Sequence, residues 1–390
     1  MAVVFWGAVG LLLHTYFFYP LMLVAWDGLH QLLHAVRFLS GRDRREHRVE
    51  AFNPSVSLVV AAHDEESCIS AKLDNSLSLD YPDRELEVLI GSDGSTDRTD
   101  ALVAGCPDPR VRLSAAPRGG KVAVLNRCIP VAQGEIVILT DANTMIDKKA
   151  VRKLVRHFRD PEVGAVCGRL KLYNRRKKTY EESTYWTYET LLKFYEGKHG
   201  AVVGANGGLY AIRRSLFTKL PTDTVVDDFI IPLRMLEQGY KVNFESEAVA
   251  YEETTEDYGK EFSRRTRIAA GNFHALKLLR GLLNPLRGFP AFAFWSHKVL
   301  RWVAPAFMAL ALVSNVFLCS SAMYRVIFLA QLLFYALAWL GSRGGLPSAV
   351  ARFASIAYYF VYMNVALAVG FWRFLKGTQK ATWDRTARTE

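Results

Sequence analysis

The chain has 390 residues, 51% of them hydrophobic and 22% charged, with a formal net charge of +11. Such a composition excludes a disordered chain. Residues 1–26, 302–319 and 353–372 carry no Lys, Arg, Asp or Glu, while the stretch from 50 to 265 reads as water-compatible, which excludes both a wholly soluble protein and a bare membrane bundle.

The first uncharged run matches the ~20 apolar residues that a bilayer core requires. It lacks a basic leader and a small-residue cleavage site, so it reads as an anchor over 1–36 rather than a removed signal. Tyr19-Pro20 predicts a bend within it. Arg37, Arg42, Arg44, Arg45 and Arg48 follow, and positive residues favour the cytosolic side. An integral membrane protein is expected, at a plasma or inner membrane, with the N-terminus outside and the central region in the cytosol. The basic balance suits a lipid surface or a phosphate-bearing substrate; no recognised nucleic-acid module accompanies it, so no nucleic-acid partner is expected. Five cysteines without paired spacing suggest neither a disulfide frame nor a zinc site.

Val56–Ala62 is a β-branched apolar run and reads as a buried strand. Leu86–Gly91 and Glu135–Thr140 are further strand candidates, with helical patterns near 65–79, 96–104 and 119–132. That alternation predicts an α/β domain with a mainly parallel sheet and helices on both faces. Ligands of such sheets bind beyond the carboxyl ends of the strands. Farther on, Phe289–Arg301 mixes aromatic and basic residues, as an interface-lying segment does. Apolar spans are expected near 302–320, 324–341 and 352–373. Asn315, Gln331 and Asn364 within them read as interhelical contacts or as channel-lining groups. Arg373, Lys376, Lys380, Arg385 and Arg388 favour an inside C-terminus, which four full crossings from an outside N-terminus do not give. The expected division is an anchor and basic linker over 1–50, a cytosolic domain over 51–284 and a membrane region over 285–390.

Three strand ends carry acids: Ala62-His63-Asp64-Glu65-Glu66, Ser92-Asp93-Gly94-Ser95-Thr96-Asp97 and Thr140-Asp141-Ala142-Asn143. Alone, the Asp93–Asp97 segment reads, at Thr96 and Asp97, equally as a turn and helix cap. Repeated at strand ends, the acids converge on one crevice. An acid and an amide two residues apart, Asp141 and Asn143, can both face Mg²⁺ or Mn²⁺. Gly119-Gly120-Lys121 opens a helix where a lysine can meet a diphosphate, without the GxxxxGK[ST] pattern of a P-loop. Gly204-Ala205-Asn206-Gly207-Gly208 allows close backbone approach to a ligand, or makes a tight turn. In Val225-Val226-Asp227-Asp228 the paired carboxylates can raise each other's pKa and supply a base; they can also cap a helix. Arg264-Arg265-Thr266-Arg267 suits phosphate oxygens, of a substrate or of lipid headgroups.

In this order the motifs resemble membrane-bound family 2 glycosyltransferases with a GT-A (Rossmann-like) domain, over about residues 54–275, in the branch related to cellulose, chitin and hyaluronan synthases. The resemblance implies inverting transfer of a sugar from a nucleotide-diphosphate sugar, a UDP-sugar by family expectation, to a glycan or lipid-linked acceptor in polysaccharide biosynthesis. It places Ala62, Asp64 and Glu65 in the first nucleotide-binding motif, with Asp64 where Asn is usual. Asp93 corresponds to a nucleobase contact and Lys121 to a phosphate contact. Asp141 and Asn143 correspond to the metal motif, for Mg²⁺ or Mn²⁺, with an amide replacing the second acid. Asp228, beside Asp227, corresponds to the catalytic base. Arg264 and Arg267 fall in the place of a QxxRW motif; Arg267 keeps the diphosphate arginine, while Ile268 removes the aromatic floor. Asn206 and Gly207 are candidates for sugar contact, and Trp186 for an acceptor surface or an interfacial anchor. The rival expectations are a nucleotide-binding receptor or scaffold without turnover, single-sugar transfer to a polyprenyl-phosphate carrier, and a transporter. An oligomer or export partner is left open.

Overall fold

The computed structural model describes residues 1–39, 52–174, 179–180, 184–253, 258–343 and 347–379. Arg42, Arg44, Arg45 and Arg48, and the tail with Lys380, Arg385 and Arg388, lie outside them. The chain divides into two compact units. One is built from Leu23–Glu256 and Leu278–Ala293, the other from Met1–Met22, Asp257–Lys277 and Phe294–Gln379.

The first unit is α/β. Its central strand β1, Val56–Ala62, is buried along its whole length, which explains its unbroken apolar run. β2 (Leu86–Asp93), β3 (Val111–Ala116) and β4 (Ile136–Asp141) lie parallel in the order β3-β2-β1-β4. Between them run α3 (Ile69–Leu77), α4 (Thr99–Ala104) and α5 (Lys121–Val131). The observed α3 starts at Ile69 rather than near 65, because residues 63–66 are spent on contacts with the loop after β2. α5 packs against β2 at Gly91, where an added Cβ would stand 2.2 Å from Val124 Cγ1. Beyond β4 come β5 (Thr144–Ile146), α6 (Ala150–Val155), β6 (Val163–Asn174), β7 (Thr179–Tyr180), α7 (Thr184–Lys198), β8 (Tyr210–Arg213), α8 (Asp227–Glu237) and β9 (Lys241–Glu253). The sheet continues β4-β8-β6-β9-β5, with β7 on β6; β8 pairs antiparallel with both β4 and β6, whereas β6 and β9 run parallel.

Register decides what meets at the strand ends. Ala61 pairs with Asp141 and Ala62 with Ser92. The carboxyl ends of β1, β2 and β4 are therefore level, and the segments that follow them start from one edge.

The membrane unit begins with α1 (Ala2–Leu13), a π-helical segment His14–Phe18 and the start of α2 (Tyr19–Leu39). Pro20 has no N–H to offer the preceding turn, and the π segment lies directly before it. The expected bend is thus a local widening. α9 (Tyr258–Leu278) follows the α/β core. The α/β unit closes with α10 (Phe289–Ala293); in the membrane unit a second π-helical segment Phe294–Val299 and α11 (Leu300–Trp302) then lead to α12 (Ala304–Val316). Phe289–Trp302 and Ala304–Val316 meet at 61°. Pro305, in the first turn of α12, accounts for the break. α13 (Ala322–Arg343) and α14 (Ser348–Leu375) complete the unit.

Ala2–Leu33, Ala322–Arg343 and Val350–Leu375 are each long and apolar enough to cross a bilayer. Their outer faces present Val3, Phe17, Leu329 and Phe353, all more than 60% exposed. The protein is an integral membrane protein. Phe5 packs against Ala311 and edge-on to Tyr324 at 5.7 Å. The Asn315 and Gln331 amides meet at 2.8 Å, and Asn364 donates to Phe360 O of its own helix. The Asn315–Gln331 bond joins α12 to α13, in keeping with the interhelical reading; the Asn364 bond stays within α14.

Candidate active site

Four side chains meet beside Gly207. The Lys121 ammonium donates to Asp141 Oδ1 at 2.8 Å and lies 3.5 Å from Asp227 Oδ2. A Cβ built on Gly207 would stand 3.4 Å from Asp141 Oδ2, 3.4 Å from Asp228 Oδ2 and 3.6 Å from Lys121 Nζ. These residues arrive from the start of α5, the end of β4, the first turn of α8 and the loop before β8. The absent glycine side chain thus leaves a small hollow with a carboxylate on either side.

The two adjacent acids are not equivalent. Asp227 is buried, and its Oδ2 makes no hydrogen bond. Asp228 is partly exposed. Burial raises both, and the neighbouring Asp227 adds to the rise of Asp228, which reaches about 6 against the pull of Lys121. Lys121 titrates higher than an ordinary lysine: burial works against its charge, but Asp141, Asp227 and Asp228 together outweigh it.

The loop 204–208 is tied down on three sides. Ala205 N donates to Asp228 O at 3.1 Å, Thr140 Oγ1 to Gly208 O at 2.7 Å, and Lys193 Nζ to Asn206 Oδ1 at 2.6 Å. Lys193 comes from α7, where Glu189 and Glu196 are buried too; Glu196 Oε2 accepts from Val203 N. None of these was singled out from sequence, although their spacing of four and three puts them on one helix face. Lys72, on α3, was also missed. It is fully buried and donates to Thr140 Oγ1 at 3.1 Å and to Thr144 O, bracing both ends of the turn that carries Asp141 and Asn143.

Burial holds the Lys72 ammonium down at about 7 from 10.5. Between those values the unfolded chain keeps a proton that the folded chain has released. Stability therefore rises with pH across that window and gains nothing below it. Lys72→Met should remove this rise. The wild-type minus variant difference in unfolding free energy is expected to grow by up to about 1.4 kcal/mol per pH unit, read as melting temperatures in detergent at pH 7 and pH 9. A constant difference would contradict the assignment.

The remaining sequence candidates are placed as follows. The Asp93 carboxylate is buried and accepts from Gly119 N at 2.7 Å and Gly120 N at 3.0 Å, which fixes the start of α5 and hence Lys121. Asp64 has φ 53 and accepts from Thr96 N at 2.7 Å. Its carboxyl is held below the usual range chiefly by that bond, and burial opposes the shift. Glu65 N donates to Thr99 Oγ1 at 2.8 Å, so the segments after β1 and β2 are stitched together. Ala62 is buried at the end of β1. Asn143 Nδ2 lies 3.4 Å from Glu252 Oε1. Trp186 is half-buried near the start of α7; the preceding Glu182-Ser183 lie outside the described residues. Arg264 and Arg267 belong to α9 in the membrane unit, where Arg264 pairs with Glu261 at 3.4 Å. The structure thus brings together Lys121, Asp141, Gly207, Asp227 and Asp228, with Asn206 tied into the same loop.

Among the described residues, no cluster of three His, Cys, Asp or Glu is placed to hold a metal alone. The set here fits a different arrangement. Oxygen donors of Asp141 and Asp228 face a cradle that a single Cβ would fill, and hard divalent cations often complete such a shell with substrate phosphates.

Gly207→Ala tests the hollow. Its methyl would meet ordinary contact distances, so the melting temperature should stay unchanged. It would occupy the space between the acids, and turnover should fall by about 10²-fold. Unchanged turnover would mean that no reacting group enters there.

The profile of the family described as "Glycosyltransferase like family 2" matches residues 54–271. A beta-monoglucosyldiacylglycerol synthase of Nostoc sp. is 31% identical over 180 residues, 43% of this chain and 37% of that protein. A poly-beta-1,6-N-acetyl-D-glucosamine synthase of Staphylococcus aureus (strain COL) is 25% identical over 260 residues, 64% of this chain and 62% of that protein. The chain spans about half the length of the curated relatives it matches. In structure, it is similar to a mannosyltransferase from Pyrobaculum calidifontis in complex with GDP-Man and Mn²⁺, with TM-score 0.61, 22% identity and coverage of 91% of this chain and 97% of that one. That likeness shows the shared fold.

Proposed function

This chain belongs to the glycosyltransferase like family 2, and we propose that it moves a sugar from a nucleotide-diphosphate sugar to an acceptor hydroxyl, with inversion at the anomeric carbon, in polysaccharide biosynthesis at the cytosolic face of a membrane. The observation that carries the reading is the meeting of Asp141, Asp227, Asp228 and Lys121 around Gly207.

Asp228 is the more exposed member of its pair, and its carboxyl is raised to about 6 by burial and the Asp227 charge, which suits a base. It takes the proton from the acceptor hydroxyl. The oxygen then attacks the anomeric carbon from the face opposite the leaving group. The bond from that carbon to the diphosphate oxygen breaks, and the nucleoside diphosphate leaves with the electron pair. Lys121 offers positive charge to that group, and the buried Asp227 holds the ammonium in place. Mg²⁺ or Mn²⁺, held by the Asp141 carboxylate beside the Gly207 hollow, would supply further charge to the diphosphate. The Asp93 clamp on Gly119 and Gly120 sets the approach of Lys121.

The acceptor reading has two branches. A polymer-forming relative and a lipid-glycosylating relative both match this chain. The membrane unit suits either a lipid-linked acceptor or a growing glycan, and we favour a glycan destined for the cell surface. The test is a donor screen on detergent-purified protein with Mn²⁺ or Mg²⁺, covering uridine and guanosine diphosphate sugars. Release of nucleoside diphosphate from one donor class is expected. Product length then separates the branches: a ladder shows extension, a single addition shows the lipid carrier. Donor binding without release would favour the non-catalytic receptor.

A further inference from the structure

Glu189, Lys193 and Glu196 are buried on one face of α7, where they are 6%, 4% and 0% exposed. Spacings of four and three residues set them one turn apart. A buried cation is retained where acids and acceptors surround it. Lys193 directs one N–H at Asn206 Oδ1, at 2.6 Å. The backbone around that asparagine is fixed as well. Ala205 N donates to Asp228 O at 3.1 Å, Leu209 N to Asn206 O at 3.2 Å, and Val203 N to Glu196 Oε2 at 3.1 Å. Asn206 is thus held between α7 and the first turn of α8, one residue before the Gly207 hollow.

The chemistry of this pair sets a direction. An ammonium donates and has no lone pair, whereas a carboxamide accepts at its oxygen and donates at its nitrogen. Lys193 therefore takes the Oδ1 side and leaves Nδ2 to face elsewhere. Asn206 is half-buried, and among the described residues its Nδ2 makes no hydrogen bond. The acids on either side of Gly207 only accept when ionised, and Lys121 is directed at Asp141. Asn206 Nδ2 adds an uncharged donor to this set. An uncharged amide suits the lone pair of a hydroxyl, while the charge of a diphosphate is met by Lys121.

We propose that Lys193 is a positioning residue: it holds the Asn206 carboxamide so that Nδ2 donates to one hydroxyl of the donor sugar. The inference rests on the nucleotide-sugar reading above and adds which part of the donor is recognised, and by which atom. A site built to hydrogen-bond a hydroxyl rejects the analogue that lacks it, because its own donor is then left unpaired. Discrimination at one ring position of the sugar follows, and it can be measured without turnover.

Binding to the full chain in detergent with Mn²⁺ is measured by titration calorimetry, without acceptor. The probes are the uridine and guanosine diphosphate sugars of the donor screen (UDP-glucose, UDP-N-acetylglucosamine and GDP-mannose among them), the free nucleoside diphosphates, and the deoxy and deoxyfluoro analogues of the sugar that binds. At one ring position the deoxy analogue should bind wild type about tenfold more weakly than its parent. In Asn206→Ala that difference should vanish, while binding of the nucleoside diphosphate, which reports a folded site, stays unchanged. Fluorine accepts weakly and cannot donate, so wild type should hold the deoxyfluoro analogue better than the deoxy one. Asn206→Asp keeps a partner for Lys193 but has no N–H to give, and should reverse that order. Lys193→Met should lose most of the discrimination, and Lys193→Arg, again a donor without a lone pair, should keep part of it. The Asn206 variants carry the test if Lys193→Met does not fold. Equal deoxy losses in wild type and folded Asn206→Ala overturn the sugar contact alone, and an unreversed order in Asn206→Asp overturns the direction assigned to Lys193. A wild type that binds no nucleotide sugar overturns the proposed function, and the contact with it.

Discussion

Asp228→Asn is expected to lower turnover by about 10²–10⁴-fold, the usual cost of a lost general base, while nucleotide binding persists. The choice of Asp228 over Asp227 rests on access. Asp227 is shut in against Lys121, whereas Asp228 is partly exposed and directs Oδ2 toward the hollow beside Gly207. Burial and the Asp227 charge raise Asp228 to about 6. The base works when deprotonated, so wild-type turnover should rise with pH through about 6 and then level off. The residual rate of the asparagine variant should lack that limb. Wild-type turnover by a folded Asp228→Asn protein, or an unchanged acid limb, would reject the assignment.

Lys121→Met should also cost about 10²-fold or more, by removing charge from beside the leaving group. It has a second signature. Lys121 now lowers Asp228, while Asp141 and Asp227 raise it. Without the ammonium, three carboxylates face one another in a partly desolvated space. The acid limb should move up in pH, and the protein should lose about 1–3 kcal/mol of stability, the cost of leaving a partner group without its hydrogen bond, since the Lys121 and Asp141 side chains are partly exposed. Lys121→Arg should restore part of the stability. A methionine variant with reduced turnover and an unmoved acid limb would show that Lys121 acts on the substrate without setting the charge state of Asp228.

The parts of this arrangement that were legible in the sequence share one cause. β1, β2 and β4 are buried on both faces, so each reads as a continuous apolar run that stops where polar residues take over. Asp93 and Asp141 stand at those stops, and the level register places them along one edge. β3 escaped because Val-Arg-Leu-Ser alternates, and β8 because it has four residues. β6 and β9 carry charged and apolar residues on long strands with register shifts, which blurs any period. Buried charge was harder still to foresee. Lys72, Lys193 and Glu196 look like solvated helix residues until the partners Thr140, Asn206 and Val203 are in place, and those partners are remote or lie across a turn. The π segments leave no periodic mark at all. Gly119-Gly120-Lys121 was visible as a helix start, but its role depends on the Asp93 carboxylate gripping both glycine amides.

The claim on which the account turns is that one hollow serves donor, base and leaving group. The most direct measurement is a structure of the full chain with Mn²⁺ and a non-transferable analogue of the donor found in the screen. The base must reach the acceptor oxygen at about 2.6–3.2 Å, and that oxygen must stand about 3–3.5 Å from the anomeric carbon. The anomeric carbon is therefore predicted within about 6 Å of the Asp228 carboxylate, with the diphosphate beside Lys121 and Asp141. A donor bound with its sugar away from Asp228, or its diphosphate away from Lys121, would contradict the account.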